Sequence, residues 1–238
     1  DQGFRALVRR IKSVEDGEYE IPQGMQETLR DYQKVGYQWM RTLDSMGFGG
    51  ILADDMGLGK TLQVITLLQA YRLEEAEKTE QVLVVCPASL IYNWQSELDR
   101  FAPELDKEVI AGSAAERSEQ LRRVWQRPGC ILITSYDLLK RDLALYQEHV
   151  FRYQILDEAQ MIKNHLTQAA RSVKKIQAVS RFALTGTPIE NRLSELWSIF
   201  DYLMPGMLYS YPKFQKEFEG PIVKNADDRI AERLRRMI

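Results

Sequence analysis

The stretch GGILADDMGLGKTLQ, residues 49–63, is the most informative in the sequence, because it joins an apolar run, a glycine-containing turn and a helix-like segment. Small residues ahead of a helix N-terminus let backbone N–H groups approach phosphate oxygens. The general pattern of such a loop is Gly, four residues, then Gly-Lys-Ser/Thr. Gly59, Lys60 and Thr61 fit its end, whereas Asp54 stands where the first glycine is expected. The stretch predicts strand, phosphate loop and helix, with one departure.

The loop supplies most of the predicted ATP-binding residues. In this pattern Lys60 reaches the outer phosphates, and the Thr61 hydroxyl binds a magnesium ion. The alternative is an ordinary glycine-rich turn with an incidental lysine. The loop residues assigned to ATP are Asp54, Asp55, Met56, Gly57, Leu58, Gly59, Lys60 and Thr61.

Apolar runs recur along the chain and do not alternate with polar residues, so each predicts a strand that is covered on both faces. The runs are GGILAD, QVLVVCP, CILITS, YQILDE and RFALTG. Helical periodicity lies between them, at 29–46, 61–76, 90–101, 114–126, 165–178 and 191–203. Strands that alternate with helices predict the α/β class, with an open, mostly parallel sheet and helices on both faces. Sites in such sheets lie beyond the carboxyl ends of the strands.

Two carboxylates end the predicted strand YQIL. Asp157 is placed to hold magnesium, and Glu158 to orient and deprotonate the attacking water. The alternative is a helix N-terminus whose acidic residues complement the helix dipole. Together with Lys60 and Thr61, however, the pair favours a nucleotide hydrolysis site. Gln160, in the same DEAQ motif, is grouped with Lys60, Asp157 and Glu158 as catalytic.

Two further features fit this site. The Gln33 amide offers a donor and an acceptor, the pair that grips the adenine edge at N6 and N7. Gln33 could equally lie on a solvated helix face. The stretch LTGTPIEN, residues 184–191, ends a strand in a tight turn whose hydroxyls suit a phosphate sensor. The alternative is an ordinary turn that only connects two elements.

The composition sets broad limits. The 238 residues are 45% hydrophobic and 28% charged, with a net charge of −2, as in an ordinary globular protein. The longest apolar runs are too short to cross a membrane. Cys86 and Cys130 lie in apolar strand-like runs, so both are expected to be buried, reduced thiols.

Six stretches, in order and at matching spacing, resemble the Snf-type ATPases, the chromatin-remodelling branch of the superfamily-two helicase-like proteins. They are LRDYQKVGYQWM, ILADDMGLGKTLQ, VLVVCPASLIYNWQSEL, ILITSYDLL, ILDEAQMIKN and LTGTPIENRLSELWSIFDYLMPG. The family loop resembles ADEMGLGKT, so an acid in place of the first glycine is normal there. Asp55 departs from the family loop, because it is a shorter acid in the place of Glu. Gln160 stands where the eukaryotic members usually have His, and this form of the motif, with Gln, resembles the prokaryotic branch.

The resemblance implies a double-stranded DNA translocase driven by ATP and magnesium, with two RecA-like lobes. Residues 1–28 would be a lead-in, 29–205 the first lobe, and 206–238 a helical extension toward a second lobe. It also implies DNA phosphate contacts, for which the candidates are Ser89, Asn93, Thr134, Ser135 and Tyr136. Location would be cytoplasmic and nucleoid-associated in a prokaryote, or nuclear in a eukaryote.

Three other functions remain open from the sequence. They are a strand-separating helicase lobe, a nucleotide-binding interaction module without turnover, and a small-molecule kinase. The resemblance also implies that arginines of the second lobe complete the active site. Arg181 and Arg192 flank the LTGTP turn, but neither matches that position.

Overall fold

The computed structural model describes residues 19–53, 57–74, 79–186 and 192–238. Within these ranges one six-stranded sheet runs in the order β1–β6–β5–β2–β4–β3. Every neighbouring pair of strands is parallel. The α/β prediction is therefore confirmed. The strands are β1 (Gly50–Leu52), β2 (Val82–Cys86), β3 (Lys107–Val109), β4 (Ile131–Ser135), β5 (Val150–Leu156) and β6 (Gln177–Leu184).

Helices connect the strands and extend beyond the last one. The helices of the described residues are α1 (Asp31–Ser45), α2 (Lys60–Glu74), α3 (Ile91–Phe101), α4 (Ala114–Val124), α5 (Tyr136–Arg141), α6 (Leu143–Tyr146), α7 (Gln168–Lys175), α8 (Leu193–Leu203), α9 (Tyr211–Phe214), α10 (Gly220–Asn225) and α11 (Asp228–Arg235). Single turns of 3₁₀-helix lie at Gln23–Met25, Ala88–Leu90 and Ala159–Ile162, and a π-helical turn at Gln215–Glu219 follows α9.

Three differences between the predicted and the observed elements affect the description of the sheet. The sequence pattern missed β3, whose half-buried Lys107 and Glu108 break any apolar run. The helix predicted over 165–178 is wrong at its end, because Gln177 and Ala178 pair with β5 as the start of β6. Strand β5 begins earlier than its apolar run and stops before the carboxylates.

Both faces of the sheet are buried. One face packs against α1, α2 and α3 through side chains such as Met40, Val64 and Trp94. The other face packs against α4, α5, α7 and α8 through side chains such as Leu121 and Tyr202. A third apolar cluster joins α8 to the helices that follow it, around Phe214 and Phe218.

A buried ionic network ties α1 to two central strands. Asp44, near the end of α1, accepts two hydrogen bonds from the Arg152 guanidinium of β5, at 2.9 and 2.6 Å. Its carboxylate also accepts bonds from the hydroxyls of Tyr153 and Ser180. Burial alone would raise the pKa of Asp44, but these bonds, the one from Arg152 first, lower it below its usual value. The network fixes the helix that carries Gln33 to the strands that end at Asp157 and Thr185.

We expect Asp44→Asn to lower the free energy of unfolding by about 3–5 kcal/mol, because it removes one charge of a buried ion pair, that of Asp44 with Arg152. Since the pKa of Asp44 is lower when folded than when unfolded, its contribution is complete above the unfolded value of 3.8 and is lost as pH falls through the folded value. Urea unfolding of both proteins at neutral and acidic pH measures the loss and its pH dependence.

The matched control is Glu74→Gln. Glu74 also receives a bidentate Arg, Arg41, but its side chain is 51% exposed. An exposed ion pair contributes about 0–1 kcal/mol. If Asp44→Asn costs no more than Glu74→Gln, the buried network does not hold α1 to the sheet as described.

Candidate nucleotide site

The glycine loop between β1 and α2 adopts backbone angles that favour glycine. Gly57 and Gly59 have φ angles of 83° and 73°, in the left-handed region. Helix α2 begins at Lys60, so the loop leads directly into a helix N-terminus. Asp54, Asp55 and Met56, which the sequence assigns to the same loop, lie outside the described residues. The described half has the geometry that a phosphate requires.

Helix α1 holds the loop from the side. The Tyr32 hydroxyl and the Gln33 amide both donate to the Leu58 carbonyl, at 3.0 and 2.9 Å. The other end of the Gln33 amide accepts the Arg30 backbone N–H at 2.9 Å. Gln33 therefore lies beside the loop and not on a solvated face, since its side chain is buried. One amide hydrogen and one oxygen lone pair remain for adenine, and that contact stays a prediction.

Asp157 follows β5 directly and is held at four atoms. Its Oδ2 accepts the indole N–H of Trp94 at 2.9 Å, and its Oδ1 accepts the backbone N–H of Glu158 at 2.8 Å. Its carbonyl accepts the Tyr136 hydroxyl at 2.7 Å, and its own N–H donates to Val85 at 2.8 Å. The carboxylate is thus fixed in orientation, with lone pairs left on both oxygens.

The environment of Asp157 suits a cation. Burial raises its pKa above the usual value, against the opposing effect of the Trp94 and Glu158 N–H groups and the Lys60 charge. A buried carboxylate of this kind gains from a positive partner. Magnesium prefers hard oxygen ligands and is commonly held by one carboxylate together with substrate phosphates. The chemistry of Asp157 therefore fits a magnesium ion, and Thr61, the second residue of α2, stays the other predicted ligand.

Glu158, Gln160 and Thr185 form one hydrogen-bonded chain. The Gln160 amide nitrogen donates to the Glu158 carboxylate, and the Thr185 hydroxyl donates to the Gln160 amide oxygen at 3.0 Å. Glu158 has a left-handed backbone, with φ 49° and ψ 54°. Gln160 thus orients Glu158 and is a positioning residue in this arrangement. Of the turn after β6, residues 187–191 lie outside the described residues.

The predicted DNA contacts divide into two groups. Ser89 and Asn93 are exposed, Ser89 between β2 and α3 and Asn93 in the first turn of α3. Thr134, Ser135 and Tyr136 are buried. For these three the predicted side-chain contacts with DNA phosphates stay a prediction, and their hydroxyl groups already have protein partners. Thr134 donates to the Ile110 carbonyl, Ser135 accepts the Leu138 N–H as an N-cap, and Tyr136 donates to Asp157.

Trp94 and Tyr136 were not predicted as supports of Asp157. The sequence signal was weak, because Trp94 lies on an apolar helix face and is equally well explained as a core residue. The Arg181 guanidinium donates to the carbonyls of Tyr202 and Ile176, whereas Arg192 is exposed just before α8. Cys86 and Cys130 are both free and fully buried, as predicted.

Within the described residues the structure has neither a cluster of metal-ligating side chains nor a helix that could span a membrane. No group of three or more His, Cys, Asp or Glu side chains lies close enough to hold a metal ion. Equally, none of the described helices combines the length and apolar character needed to cross a membrane.

The sheet and its rim define a class of protein: a RecA-like lobe with a phosphate loop before α2 and paired carboxylates after β5. Comparisons with known proteins agree. The family described as SNF2-related domain matches residues 32–238. The solved SWI2/SNF2 ATPase core of Sulfolobus solfataricus in complex with double-stranded DNA superposes with a TM-score of 0.79 at 42% identity, over 88% of this chain and 42% of that one.

Sequence relatives come from bacteria and eukaryotes. The TATA-binding protein-associated factor MOT1 of Saccharomyces cerevisiae is 40% identical over 90% of this chain and 12% of its own length. The putative ATP-dependent helicase/translocase YwqA of Bacillus subtilis is 37% identical over 99% of this chain and 25% of its own length. The chain belongs to the SNF2-related family, and it spans a quarter or less of the length of these two relatives.

We expect alanine to be tolerated less well at Gly59 than at Gly57. Each position requires a left-handed backbone, which costs an L-residue about 1–2 kcal/mol. At Gly59 a Cβ would also lie 2.3 Å from the Gln33 amide nitrogen, displacing its bond to Leu58, worth a further ~1 kcal/mol. Around Gly57 the described residues leave open space within 4 Å. Urea unfolding of Gly57→Ala and Gly59→Ala measures the difference.

A second background tests the cause of that difference. In a Gln33→Ala protein the amide is gone, so Gly59→Ala and Gly57→Ala should cost the same. If the difference persists there, the contact between Gln33 and the loop does not produce it.

Proposed function

We propose that this chain is the nucleotide-binding motor lobe of an ATP-dependent double-stranded DNA translocase. The observation that carries the proposal is the arrangement at one edge of the sheet: the glycine loop leads from β1 into α2 at Lys60, and Asp157 and Glu158 follow β5, which β6 alone separates from β1. The Lys60 charge also acts to lower the pKa of Asp157. Family membership supports ATP use, since relatives are named as ATP-dependent helicases and chromatin-remodelling ATPases.

Each residue of the site has a separate task in this proposal. The N–H groups of the loop and the Lys60 ammonium bind the phosphates, and Thr61 and Asp157 hold magnesium. When bound there, magnesium would supply positive charge against the charge that develops on the transferred phosphoryl group. Glu158 accepts a proton from the attacking water, and Gln160 keeps its carboxylate turned toward that water.

The duplex as partner is supported by the Sulfolobus core, which was solved in complex with double-stranded DNA. Ser89 and Asn93, exposed beyond β2, are the phosphate contacts that we retain. A strand-separating helicase lobe would use the same site, and only an unwinding assay on the full-length protein distinguishes it. A small-molecule kinase is disfavoured by membership of the SNF2-related family.

The second lobe and the branch of the family are further proposals. The chain covers 42% of the solved ATPase core, which leaves room for a second lobe in the full-length protein. Gln160 supports the prokaryotic branch, whereas the relatives include both yeast and bacterial proteins and do not separate the branches.

Two variants of the full-length protein should separate chemistry from binding. Glu158→Gln should bind ATP normally but lose turnover by about 10²–10⁴-fold, because an amide cannot take the water's proton. Gln160→Ala should lower kcat less, with KM unchanged, since it releases the Glu158 carboxylate without removing it. Steady-state kinetics with saturating duplex DNA, together with ATP binding at equilibrium, give both values.

Thr185→Val is the matched control for Gln160→Ala. It keeps Gln160 bonded to Glu158 and removes the hydroxyl that donates to the Gln160 amide oxygen, so its kcat should fall between those of the wild type and Gln160→Ala. A Glu158→Gln protein with normal turnover would rule out this residue as the base, and the non-catalytic module would then be the better proposal.

The 238-residue chain alone should be nearly inert as an ATPase. Charge on the transition state is covered on one side by Lys60, and the opposing arginines are expected from the second lobe. Loss of an arginine finger costs about 10³–10⁵ in rate. Comparison of its DNA-stimulated turnover with that of the full-length protein tests this, and adding the second lobe as a separate polypeptide should restore part of the rate. Equal rates would contradict a two-lobe mechanism.

A further inference from the structure

We propose that Trp94 is a positioning residue for Asp157, and that through it the segment of residues 89–94, which includes the first turn of α3, regulates the binding of magnesium and nucleotide. The regulatory half rests on the proposed function, since it takes duplex DNA as the ligand of that segment. The role toward Asp157 rests on geometry alone.

The geometry places Trp94 between a surface and the site. Tyr92, Asn93 and Trp94 are consecutive in the first turn of α3. Tyr92 is 64% exposed and Asn93 is also exposed, whereas Trp94 is completely buried. The Trp94 indole N–H donates to Asp157 Oδ2 at 2.9 Å. One helical turn therefore presents two side chains to solvent and one to the proposed metal carboxylate.

Sheet order explains why the contact runs in this direction. Strand β5, which Asp157 follows directly, lies between β6 on the phosphate-loop side and β2 on the side of α3. On the phosphate-loop side, hydrogen bonds run from Glu158 through Gln160 to Thr185 at the end of β6. On the β2 side, Trp94 holds the carboxylate and Tyr136 holds the carbonyl of the same residue. Asp157 is the residue at which the two sides meet.

A rotation of the first turn of α3 moves the Trp94 indole and therefore changes the orientation of the Asp157 carboxylate. The indole is rigid and fully enclosed, and the Asp157 backbone is fixed to β2 and to Tyr136. Displacement of Tyr92 or Asn93 by a ligand is therefore transmitted to the orientation of the carboxylate. Partners that orient a metal-binding carboxylate typically change metal affinity by about 10–100-fold when they are removed.

The test uses the full-length protein, a non-hydrolysable ATP analogue, and magnesium titrations with and without duplex DNA. Trp94→Phe should raise the magnesium concentration for half-maximal analogue binding by about 10–100-fold. Analogue binding in excess chelator should not change. In the wild type, the duplex should tighten binding by a factor within the usual ~5–150-fold range of coupling, and Trp94→Phe should bring that factor toward one.

Two further proteins make the result specific. Trp197→Phe is the matched control, because it removes an indole N–H that donates to the Tyr209 carbonyl away from Asp157. It should keep the wild-type magnesium requirement and coupling. Replacement of Trp94 by β-(3-benzothienyl)alanine exchanges the N–H for sulfur and keeps the ring volume, so it should reproduce the effect of Trp94→Phe even if the smaller side chain impairs folding.

A wild-type magnesium requirement in the benzothienyl protein would overturn the positioning role. If that requirement rises while duplex coupling stays at the wild-type factor, the regulatory half is overturned and the positioning role is kept. If wild-type protein shows no duplex effect at all, the proposed DNA-dependent function fails, and the magnesium shift still decides the role of Trp94.

Discussion

A parallel sheet that is covered on both faces leaves only its strand ends for chemistry, and the rest of this structure depends on that constraint. Helices bury the two faces so completely that all five residues of β2 and of β4 are buried. The carboxyl ends then form one rim, on which the sheet order sets the neighbours. The glycine loop after β1, Thr185 after β6 and Asp157 after β5 are adjacent because β1, β6 and β5 are adjacent.

Asp157 shows what this arrangement requires of a single residue. A carboxylate at the end of a central strand loses much of its hydration, which raises its pKa. The cost is reduced by N–H donors from Trp94 and Glu158, and a cation would reduce it further. The same bonds prevent the side chain from rotating. The same contacts therefore stabilise the buried charge and orient the carboxylate as a metal ligand. A substitution that removes one of them changes both the stability and the orientation of Asp157.

Much of the fold follows from the sequence, because continuous apolar runs and helical periodicity reflect burial directly. Each predicted strand exists, and Lys60, Asp157 and Glu158 lie at the predicted strand and helix ends. Edge strand β3 escaped the pattern, since it is only half covered and carries charged residues. The end of α7 was misplaced because tertiary pairing with β5 draws residues 177–178 into β6. The hydrophobic pattern of neighbouring residues contains no information about pairing with a strand that is distant in the sequence.

Side-chain direction was harder to predict than position. Thr134, Ser135 and Tyr136 do lie at a strand end, but their hydroxyls turn inward to Ile110, Leu138 and Asp157. The hydrogen bond from Trp94 to Asp157 could not be predicted from the sequence either, since the two residues are 63 positions apart in the chain. For Gln160 the position was predicted correctly, and its role depends on the chemistry of its amide group. Its amide donates to Glu158 and accepts from Thr185 at the same time, and an amide does not titrate.

That neutrality has a consequence for the link between Glu158 and Thr185. A histidine in the same motif changes its charge near pH 6.5, and a protonated ring has only donors, so it could no longer accept the Thr185 hydroxyl. With Gln160 the directions of both hydrogen bonds are the same on either side of that pH. The departure from the usual family motif therefore keeps the carboxylate that is proposed to activate water oriented through a range in which the histidine form would reorganise.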